Sequence, residues 1–208
     1  MTIKIGINGF GRIGRMVLRS IIENKRKDIE VVAINNRSNA ETSSFLLTHD
    51  TIHGSLKNKI NYSDKSISID EKKINMIQEN EISNIDWKKY KVDVVLECTG
   101  KFNTKEKSAQ HLKSGVKKVL VSAPCKDASN IVFGVNHKNL NKKDSVISAA
   151  SCTTNCLAPV AKVLNDNFGI ERGFMTTIHS YTTDQRLLDN SHKDLRRARA
   201  AANSMIPT

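Results

Sequence analysis

The chain has 208 residues, of which 38% are hydrophobic and 26% are charged. This length fits one large domain, or one domain and part of another, and the composition excludes a chain without a packed core. No apolar run reaches the ~18 residues that a membrane-spanning helix requires. The first residues show no signal-peptide pattern, so we expect a cytoplasmic protein whose four cysteines are reduced.

The net charge of +12 raises the question of a nucleic-acid partner. The basic residues, however, occur as scattered pairs such as Lys72-Lys73 and Lys117-Lys118, and aromatic residues make up only 5% of the chain. Aromatic platforms on which bases could stack are therefore scarce. We expect a solvated basic surface and no nucleic-acid or membrane partner. A basic module that binds RNA or acidic proteins is the alternative, and its affinity would fall steeply with salt.

Segments rich in Val and Ile alternate with segments of helical period along the first 149 residues. Continuous apolar runs such as 29–35 are typical of strands buried on both faces of a parallel sheet. The alternation predicts an α/β fold, a Rossmann-type doubly wound parallel sheet, over 1–149. The predicted strands are 3–7, 29–35, short strands within 57–78, then 92–96, 119–122 and 132–135, and the predicted helices are 13–24, 41–49 and 105–114.

A glycine-rich turn, Gly9-Phe10-Gly11-Arg12-Ile13-Gly14, joins the first predicted strand to the first helix. In this context Gly9 permits a tight turn, Gly11 lets a pyrophosphate approach the backbone, and Gly14 lets helix and strand pack closely. The N–H groups and the positive dipole at the helix start favour a phosphate. The pattern predicts a dinucleotide-binding domain. A glycine turn that only packs a helix on a sheet is the alternative.

The residue after the second predicted strand bears on the choice of cofactor. An acidic residue about 20 positions after the glycine turn usually binds the adenosine ribose. Asn36 stands there, 22 residues after Gly14, and Arg37 follows it. A carboxylate would repel a 2′-phosphate, whereas an amide beside an arginine would not. The cofactor is therefore NAD or NADP: the site accepts NADP, or the change is neutral in an NAD site.

A second unit is predicted over 150–208. A strand over 145–150 leads into a helix over 153–167, and Cys152 lies at their junction. A thiol at a helix N-terminus ionises more readily because the dipole stabilises the thiolate. Cys156 lies four residues further on, a spacing that does not fit a C-x-x-C redox or zinc pair. We therefore predict no metal site and expect Cys156 to be packed in the core.

His179 ends a predicted strand over 173–179 in the same half of the chain as Cys152. A cysteine and a histidine in contact form a recognised pair of nucleophile and base. A single histidine is also common as a structural residue, and the spacing along the chain does not measure the distance between the two side chains. Both interpretations stay open on the residues alone.

Together these residues resemble the phosphorylating glyceraldehyde-3-phosphate dehydrogenase family. The resemblance covers essentially the whole chain, and the segment around Cys152 is its most specific part. The motifs that carry it are INGFGRIGR at 7–15, HDTIHG at 49–54, ECTG at 97–100, SAP at 122–124, ASCTTNCLAP at 150–159, TTIH at 176–179 and HKDLRRAR at 192–199.

The resemblance implies an oxidoreductase that converts D-glyceraldehyde 3-phosphate to 1,3-bisphosphoglycerate with NAD(P)+, in glycolysis or gluconeogenesis. It makes Cys152 the nucleophile, which forms a thiohemiacetal and then a thioester, and His179 the base. It places ten residues at the cofactor: Gly9, Gly11, Arg12, Ile13, Gly14, Asn36, Arg37, Thr99, Gly100 and Ser122. It places five at the substrate and inorganic phosphate: Ser151, Cys152, Thr153, Thr182 and Arg197, with Arg196 as the alternative to Arg197.

The chain departs from the family pattern at three places: Asn36 stands for an Asp, Ala149 stands for an Asn, and the residues around Asn80 lack an Arg that in the family often reaches toward the adenine. Family members also continue past Thr208, so we expect a truncated chain with only the start of an α+β catalytic domain, nearly inactive alone and prone to associate through an open sheet edge. The full-length protein is expected to be a homotetramer. Erythrose-4-phosphate dehydrogenase, which hydrolyses the thioester, and a non-catalytic basic relative are the alternative functions.

Overall fold

The fold is described from a computed structural model that covers residues 2–208. The chain forms two compact units, Met1–Phe168 and Gly169–Thr208. Among the described residues, the first unit contains both sheets and the four α-helices, whereas the second unit has one short 3₁₀-helix, Leu195–Ala198, and one isolated β-bridge between Arg186 and Ala200. No helix within residues 2–208 is both long enough and apolar enough to cross a membrane.

Most of the predicted strands lie near their observed positions. The first two agree within one residue, and three strands lie within the segment 57–78 that was predicted to contain short strands. The strands described for residues 2–208 are β1 (Ile3–Asn8), β2 (Ile29–Asn35), β3 (His49–Asp50), β4 (Gly54–Ser55), β5 (Ile60–Ser63), β6 (Ser66–Ile69), β7 (Lys72–Ile77), β8 (Val94–Glu97), β9 (Lys118–Val121), β10 (Ser129–Asn130) and β11 (Val146–Ser148).

The main sheet has the order β10-β11-β9-β8-β1-β2-β7-β6-β5. Its strands are parallel from β10 to β7, and β5, β6 and β7 form an antiparallel meander at one edge. β1 pairs with β2 on one side and with β8 on the other, so the chain changes direction across the sheet at β1. This confirms the predicted α/β class and the doubly wound sheet.

The helices follow the predicted order. The segment predicted as a helix over 105–114 is an α-helix for one turn and continues as the 3₁₀-helix Ala109–Ser114. The α-helices are α1 (Arg12–Glu23), α2 (Ala40–Thr48), α3 (Lys105–Ser108) and α4 (Cys152–Phe168), and the other 3₁₀-helices of the first unit are Ile82–Asn84, Trp87–Tyr90 and His137–Asn139.

The apolar runs of β1 and β2 form strands because both faces of the sheet are covered. Ile7, Ala33 and Ile34 are completely buried. Leu18 of α1 packs into the same core as Ile7 and Ile34, and full burial of such a side chain contributes about 1.5–3 kcal/mol. The opposite face of β2 and β8 is covered around Trp87, which lies in a separate cluster with Ala33.

Two strand predictions are wrong. Residues 132–135 form a turn in which Gly134 has φ +85°, and the N–H of Val132 donates to Oδ1 of Asn136 at 2.7 Å, which replaces a ladder partner. Residues 173–179 are irregular, and Phe174 and Ile178 are exposed. A strand needs a neighbour for its N–H and C=O groups, and no strand within residues 2–208 pairs with this segment.

Gly6 allows the indole of Trp87 to lie directly against β1. A Cβ atom at Gly6 would stand 2.6 Å from Cζ3 of Trp87, and the tryptophan is fully buried. The indole therefore has no free space into which it could retreat.

The Gly6→Ala variant should lose about 1–3 kcal/mol of stability because the added methyl group overpacks this contact. Gly11→Ala is the matched control: its Cβ would meet nothing within 4 Å, and its stability should change by less than about 1 kcal/mol. Urea unfolding of both variants measures the difference. Equal stability of Gly6→Ala and the unsubstituted protein would contradict the close contact.

Candidate active site

The predicted cofactor residues gather where parallel strands end. The carboxyl ends of parallel strands share one edge of a sheet, and ligands bind there at the switch point. A cavity of about 430 Å³ opens at the ends of β1, β2 and β8 and is lined in part by Gly9, Gly11, Asn36, Arg37 and Thr99. A larger groove of about 940 Å³, along the C-terminal half of α1, contains none of the predicted site residues.

The remaining predicted cofactor residues lie outside the lining of this cavity. Arg12, Ile13 and Gly14 form the first turn of α1, beside the lining residue Gly11. Gly100 follows Thr99 with φ +70°. The N–H of Ser122 donates to the carbonyl oxygen of Glu97 at 3.0 Å, so Ser122 is tied to the end of β8.

The three glycines of the turn have three different reasons to lack a side chain. Gly9 has φ +92°, and a Cβ there would lie 2.8 Å from the backbone nitrogen of Thr99. A Cβ at Gly14 would lie 2.3 Å from the carbonyl oxygen of Gly9. Gly11 has φ −72°, which any residue adopts, and a Cβ there would meet nothing within 4 Å. The protein itself therefore does not need a glycine at 11, and the open space suits a ligand that approaches the backbone.

The start of α1 is also open to an anion. Asn39 caps α2 by accepting from the N–H of Thr42, and Thr104 caps α3 in the same way. No side chain of residues 2–208 caps the first turn of α1, whose N-cap is Gly11. The first N–H groups of an α-helix have no partner within the helix, and they carry its positive dipole. They suit the pyrophosphate of a dinucleotide.

Asn36 stands where an acidic residue is usual, and two hydrogen bonds hold its side-chain amide in position. Its Oδ1 accepts from the N–H of Phe10 at 3.4 Å, and its Nδ2 donates to Oγ of Ser43 at 3.2 Å. The amide is thereby held between the glycine turn and α2. Arg37 is exposed beside it, so this end of the cavity has a cation and no carboxylate at position 36.

Several residues of the cavity were not predicted. Glu79, Asn80 and Glu81 enter it after β7, and Lys101 and Phe102 enter it after β8. The last two directly follow the ECTG motif, and this position was the signal that could have indicated them. Asn80 carried a signal, because the family pattern has an Arg near this position, whereas Glu79 and Glu81 carried no motif. Only the pairing of β7 with β2 brings them to the site.

The Cys152 turn begins α4 after β11, the next strand but one from β8 in the sheet. Ala150 adopts φ +58°. Oγ of Ser151 accepts from the N–H of Thr154 at 2.9 Å, which caps the helix and leaves Cys152 in its first turn and exposed. Although Ala149 lacks an amide side chain, its carbonyl oxygen accepts from Nδ2 of Asn155 at 2.7 Å, so an amide still braces this turn.

The four cysteines differ in their surroundings. None is in a disulfide, and Cys152 and Cys156 are exposed, so the prediction that Cys156 is packed in the core is wrong for this chain. The physical reason is that α4 has no buried residue. Burial raises the pKa of Cys98 to about 11, with Glu97 adding to the rise and a hydrogen bond with Ser122 opposing it.

Within residues 2–208 no group of three His, Cys, Asp or Glu could hold a metal ion.

In the second unit, His179 is exposed. Its Nδ1 lies 2.6 Å from the carbonyl oxygen of Ser180. A carbonyl oxygen can only accept, so Nδ1 carries the proton, and in the neutral ring the lone pair is on Nε2. His179 therefore has the tautomer in which Nε2 can act as a base.

Thr182 and Arg197 belong to one hydrogen-bonded segment of the second unit. The N–H of Thr182 donates to Oε1 of Gln185 at 3.0 Å, and Arg197 pairs with Asp184 at 2.6 Å. The hydrogen bond from Arg197 lowers the pKa of Asp184. Arg196 instead pairs with Asp194, whose pKa it lowers to about 2.

Two family models match the chain. "Glyceraldehyde 3-phosphate dehydrogenase, NAD binding domain" matches residues 3–105, and "Glyceraldehyde 3-phosphate dehydrogenase, C-terminal domain" matches residues 151–208. The chain belongs to the glyceraldehyde 3-phosphate dehydrogenase family. The resemblance inferred from the motifs is confirmed.

Named relatives agree with this assignment. The chain is 56% identical to a glyceraldehyde-3-phosphate dehydrogenase of Cereibacter sphaeroides over 209 residues, which is all of this chain and 62% of the relative. It is 53% identical to glyceraldehyde-3-phosphate dehydrogenase 1 of Bacillus cereus, over 99% of the chain and 61% of the relative, and 52% identical to the Geobacillus stearothermophilus protein, over 100% and 62%. The chain therefore spans about 62% of the length of the curated relatives it matches.

Thiol labelling should separate Cys152 from Cys98. With a pKa of about 11, only about a thousandth of the Cys98 thiol is ionised at pH 8, and the thiolate is the reactive form. Iodoacetamide at pH 8 should modify Cys152 at least about tenfold faster than Cys98, as followed by peptide mass spectrometry. Denatured protein, in which burial no longer matters, is the control. Equal rates in the folded protein would contradict the burial of Cys98.

Proposed function

We propose that this chain is the cofactor-binding and nucleophile-bearing part of an NAD(P)-dependent, phosphorylating glyceraldehyde-3-phosphate dehydrogenase. The observation that carries the proposal is the placement of the glycine turn and the Cys152 turn after parallel strands of one sheet. The carboxyl ends of these strands share an edge. A dinucleotide held at the first turn can then reach toward the second.

The residues present fit a pyridine dinucleotide. The pyrophosphate would lie against Gly11 and the N–H groups of Arg12 and Ile13, with Gly9 and Gly14 holding the turn. The adenosine would lie between Asn36-Arg37 and Thr99-Gly100, and Ser122 would face the nicotinamide side. When bound, the nicotinamide supplies an acceptor for hydride.

Cys152 and His179 would carry the covalent chemistry. Nε2 of His179 takes the thiol proton, and the thiolate of Cys152 forms a bond to the aldehyde carbon, whose oxygen becomes an oxyanion. The protonated His179 and a backbone N–H of the Cys152 turn stabilise that oxyanion. After loss of hydride, Cys152 holds a thioester. An oxygen of inorganic phosphate attacks the thioester carbon, the carbon–sulfur bond breaks, and Cys152 leaves as a thiolate with an acyl phosphate as product.

Two anion sites would serve the two phosphates. Ser151 and Thr153, at the start of α4, offer hydroxyl and backbone donors to the attacking phosphate. Thr182 and Arg197 would bind the phosphate of the substrate. Arg197 is favoured over Arg196 because it lies with Thr182 in the segment organised by Asp184 and Gln185.

The setting of this activity is also part of the proposal. We assign 1–149 to the dinucleotide-binding domain and 150–208 to the start of the catalytic domain. Family membership supports a homotetramer with glyceraldehyde 3-phosphate and inorganic phosphate as its small-molecule partners. Four cysteines without a disulfide support a reducing, cytoplasmic setting.

Replacing the nucleophile tests the proposal. In the full-length protein, Cys152→Ser should lower kcat/KM at least about a thousandfold, because a serine hydroxyl is a far weaker nucleophile without its own activation. Cofactor affinity should stay unchanged. Cys156→Ser, one turn further along α4, is the matched control and should keep most of the activity. Assays with and without inorganic phosphate separate the phosphorylating reaction from thioester hydrolysis. Full turnover by Cys152→Ser would refute the proposal.

Restoring the carboxylate at position 36 tests the cofactor assignment. The unsubstituted protein should use NADP as well as NAD, because Asn36 does not repel a 2′-phosphate and Arg37 can attract it. Asn36→Asp should lower kcat/KM for NADP at least about tenfold relative to NAD, by like-charge repulsion. Arg37→Gln should weaken NADP use more than NAD use. Exclusion of NADP by the unsubstituted protein would show that the amide is neutral in an NAD site.

A further inference from the structure

A chain of hydrogen bonds between buried side chains runs beneath the cofactor cavity. Trp87, His111 and Glu97 are each at most 1% exposed. Nε1 of Trp87 donates to Nδ1 of His111 at 3.0 Å, and Nε2 of His111 lies 3.1 Å from Oε2 of Glu97. Neither the cofactor contacts nor the covalent chemistry proposed above uses these three side chains.

The direction of these bonds follows from the chemistry of the indole. An indole nitrogen can only donate, so Nδ1 of His111 must accept and cannot carry a proton. The ring proton therefore sits on Nε2, from which His111 donates to Glu97. Trp87 thus selects one neutral tautomer of His111, the tautomer that can hold a carboxylate.

Glu97 uses its full capacity to accept hydrogen bonds. Oε2 accepts from His111 and from Nδ2 of Asn8, the latter at 2.6 Å. Oε1 accepts from the N–H of Thr99 at 2.8 Å and from the hydroxyl of the same residue. A carboxylate has about four acceptor sites. Each has a donor here, so the side chain of Glu97 has a single favourable orientation, and losing one donor would leave buried polar groups unpaired.

The network reaches the ends of four strands that border the cavity. Asn8 ends β1 immediately before Gly9, and Oδ1 of Asn8 accepts from Asn35, at the end of β2, at 2.8 Å. Asn35 in turn bonds both the N–H and the carbonyl oxygen of Glu79, which follows β7, at 2.9 Å each. Asn8, Asn35, Glu79 and Thr99 all line the cavity. The position of Thr99 matters most because Gly9 already lies against its backbone nitrogen.

We propose that Glu97, His111 and Trp87 are positioning residues for the pyridine nucleotide. Glu97 orients Thr99 and Asn8 at the cavity wall, His111 holds Glu97, and Trp87, wedged against Gly6, fixes the tautomer of His111. The inference rests on the proposed cofactor site. It adds that these three buried side chains, which do not touch the ligand, determine the affinity of the site for the cofactor.

Graded substitutions in the full-length protein test this assignment. Glu97→Gln keeps the shape but replaces one acceptor oxygen with a donor, so it should raise Kd and KM for the cofactor at least about tenfold. At saturating cofactor, kcat should change less than about threefold, and KM for the aldehyde should not change. His111→Phe should have a smaller effect on cofactor affinity than Glu97→Gln, and Trp87→Phe a smaller effect still. The reason is that each of these residues lies one hydrogen bond further from Thr99 along the network.

A core variant separates positioning from general loss of stability. Ile67→Val removes a methylene from a fully buried residue of β6 that is outside the network, so it should lower the melting temperature and leave cofactor affinity unchanged. The double variant Glu97→Gln/Thr99→Val should lose less cofactor affinity than the sum of the two single losses, because Glu97 acts in part through Thr99.

The possible outcomes are distinguishable. If the unsubstituted protein bound no pyridine nucleotide, the proposed function would fail. If it bound NAD or NADP and folded Glu97→Gln bound it within twofold, or if the losses in the double variant were additive, the positioning role would be wrong. Should Glu97→Gln not fold, His111→Phe carries the test with the same criteria. This variant removes one hydrogen-bond donor to Glu97 and keeps the negative charge of the Glu97 carboxylate.

Discussion

β1 pairs in parallel with β2 on one side and with β8 on the other. Because the chain leaves this central strand in both directions, the loops after β1, β2 and β8 separate at the carboxyl edge and leave a cavity between them. The pairing holds the glycine turn, Asn36 and Thr99 around one space, although they are far apart in the chain. The position of the glycine turn at this edge, and with it the position of the start of α1, depends on this arrangement.

The wall and the mouth of the cavity differ in how far their polar groups are hydrogen-bonded within the protein. Its wall must be rigid enough to hold a ligand, and this rigidity comes from the saturated hydrogen bonds of Glu97 and from close contacts at Gly9 and Gly14. Its mouth must leave donors unpaired until a ligand arrives, and the uncapped start of α1 does so. Buried polar groups are costly without partners, so the network places its partners within the wall and leaves open only the groups that an anion can satisfy.

α4 and residues 173–179 show that a helix and a strand need different things from the rest of the chain. α4 carries apolar residues such as Val160 and Phe168, yet none of its residues is buried. Residues 173–179 have a strand-like composition and no strand to pair with within residues 2–208. Local sequence therefore suffices for α4, which satisfies its own backbone groups, but not for a strand, which depends on a neighbour.

The sequence alone determined the alternation of the main strands and helices in the first unit, the glycine turn before α1, the cysteine at the start of α4 and the family to which the chain belongs. These are local patterns: periodicity, turn residues and motifs with fixed spacing. Only the tertiary structure decided that Glu79 and Phe102 reach the cavity, that Gly11 faces open space, and that Trp87, His111 and Glu97 form one buried chain. Such contacts join residues distant in sequence, and strand pairing and side-chain packing create them without leaving a periodic signal in the sequence.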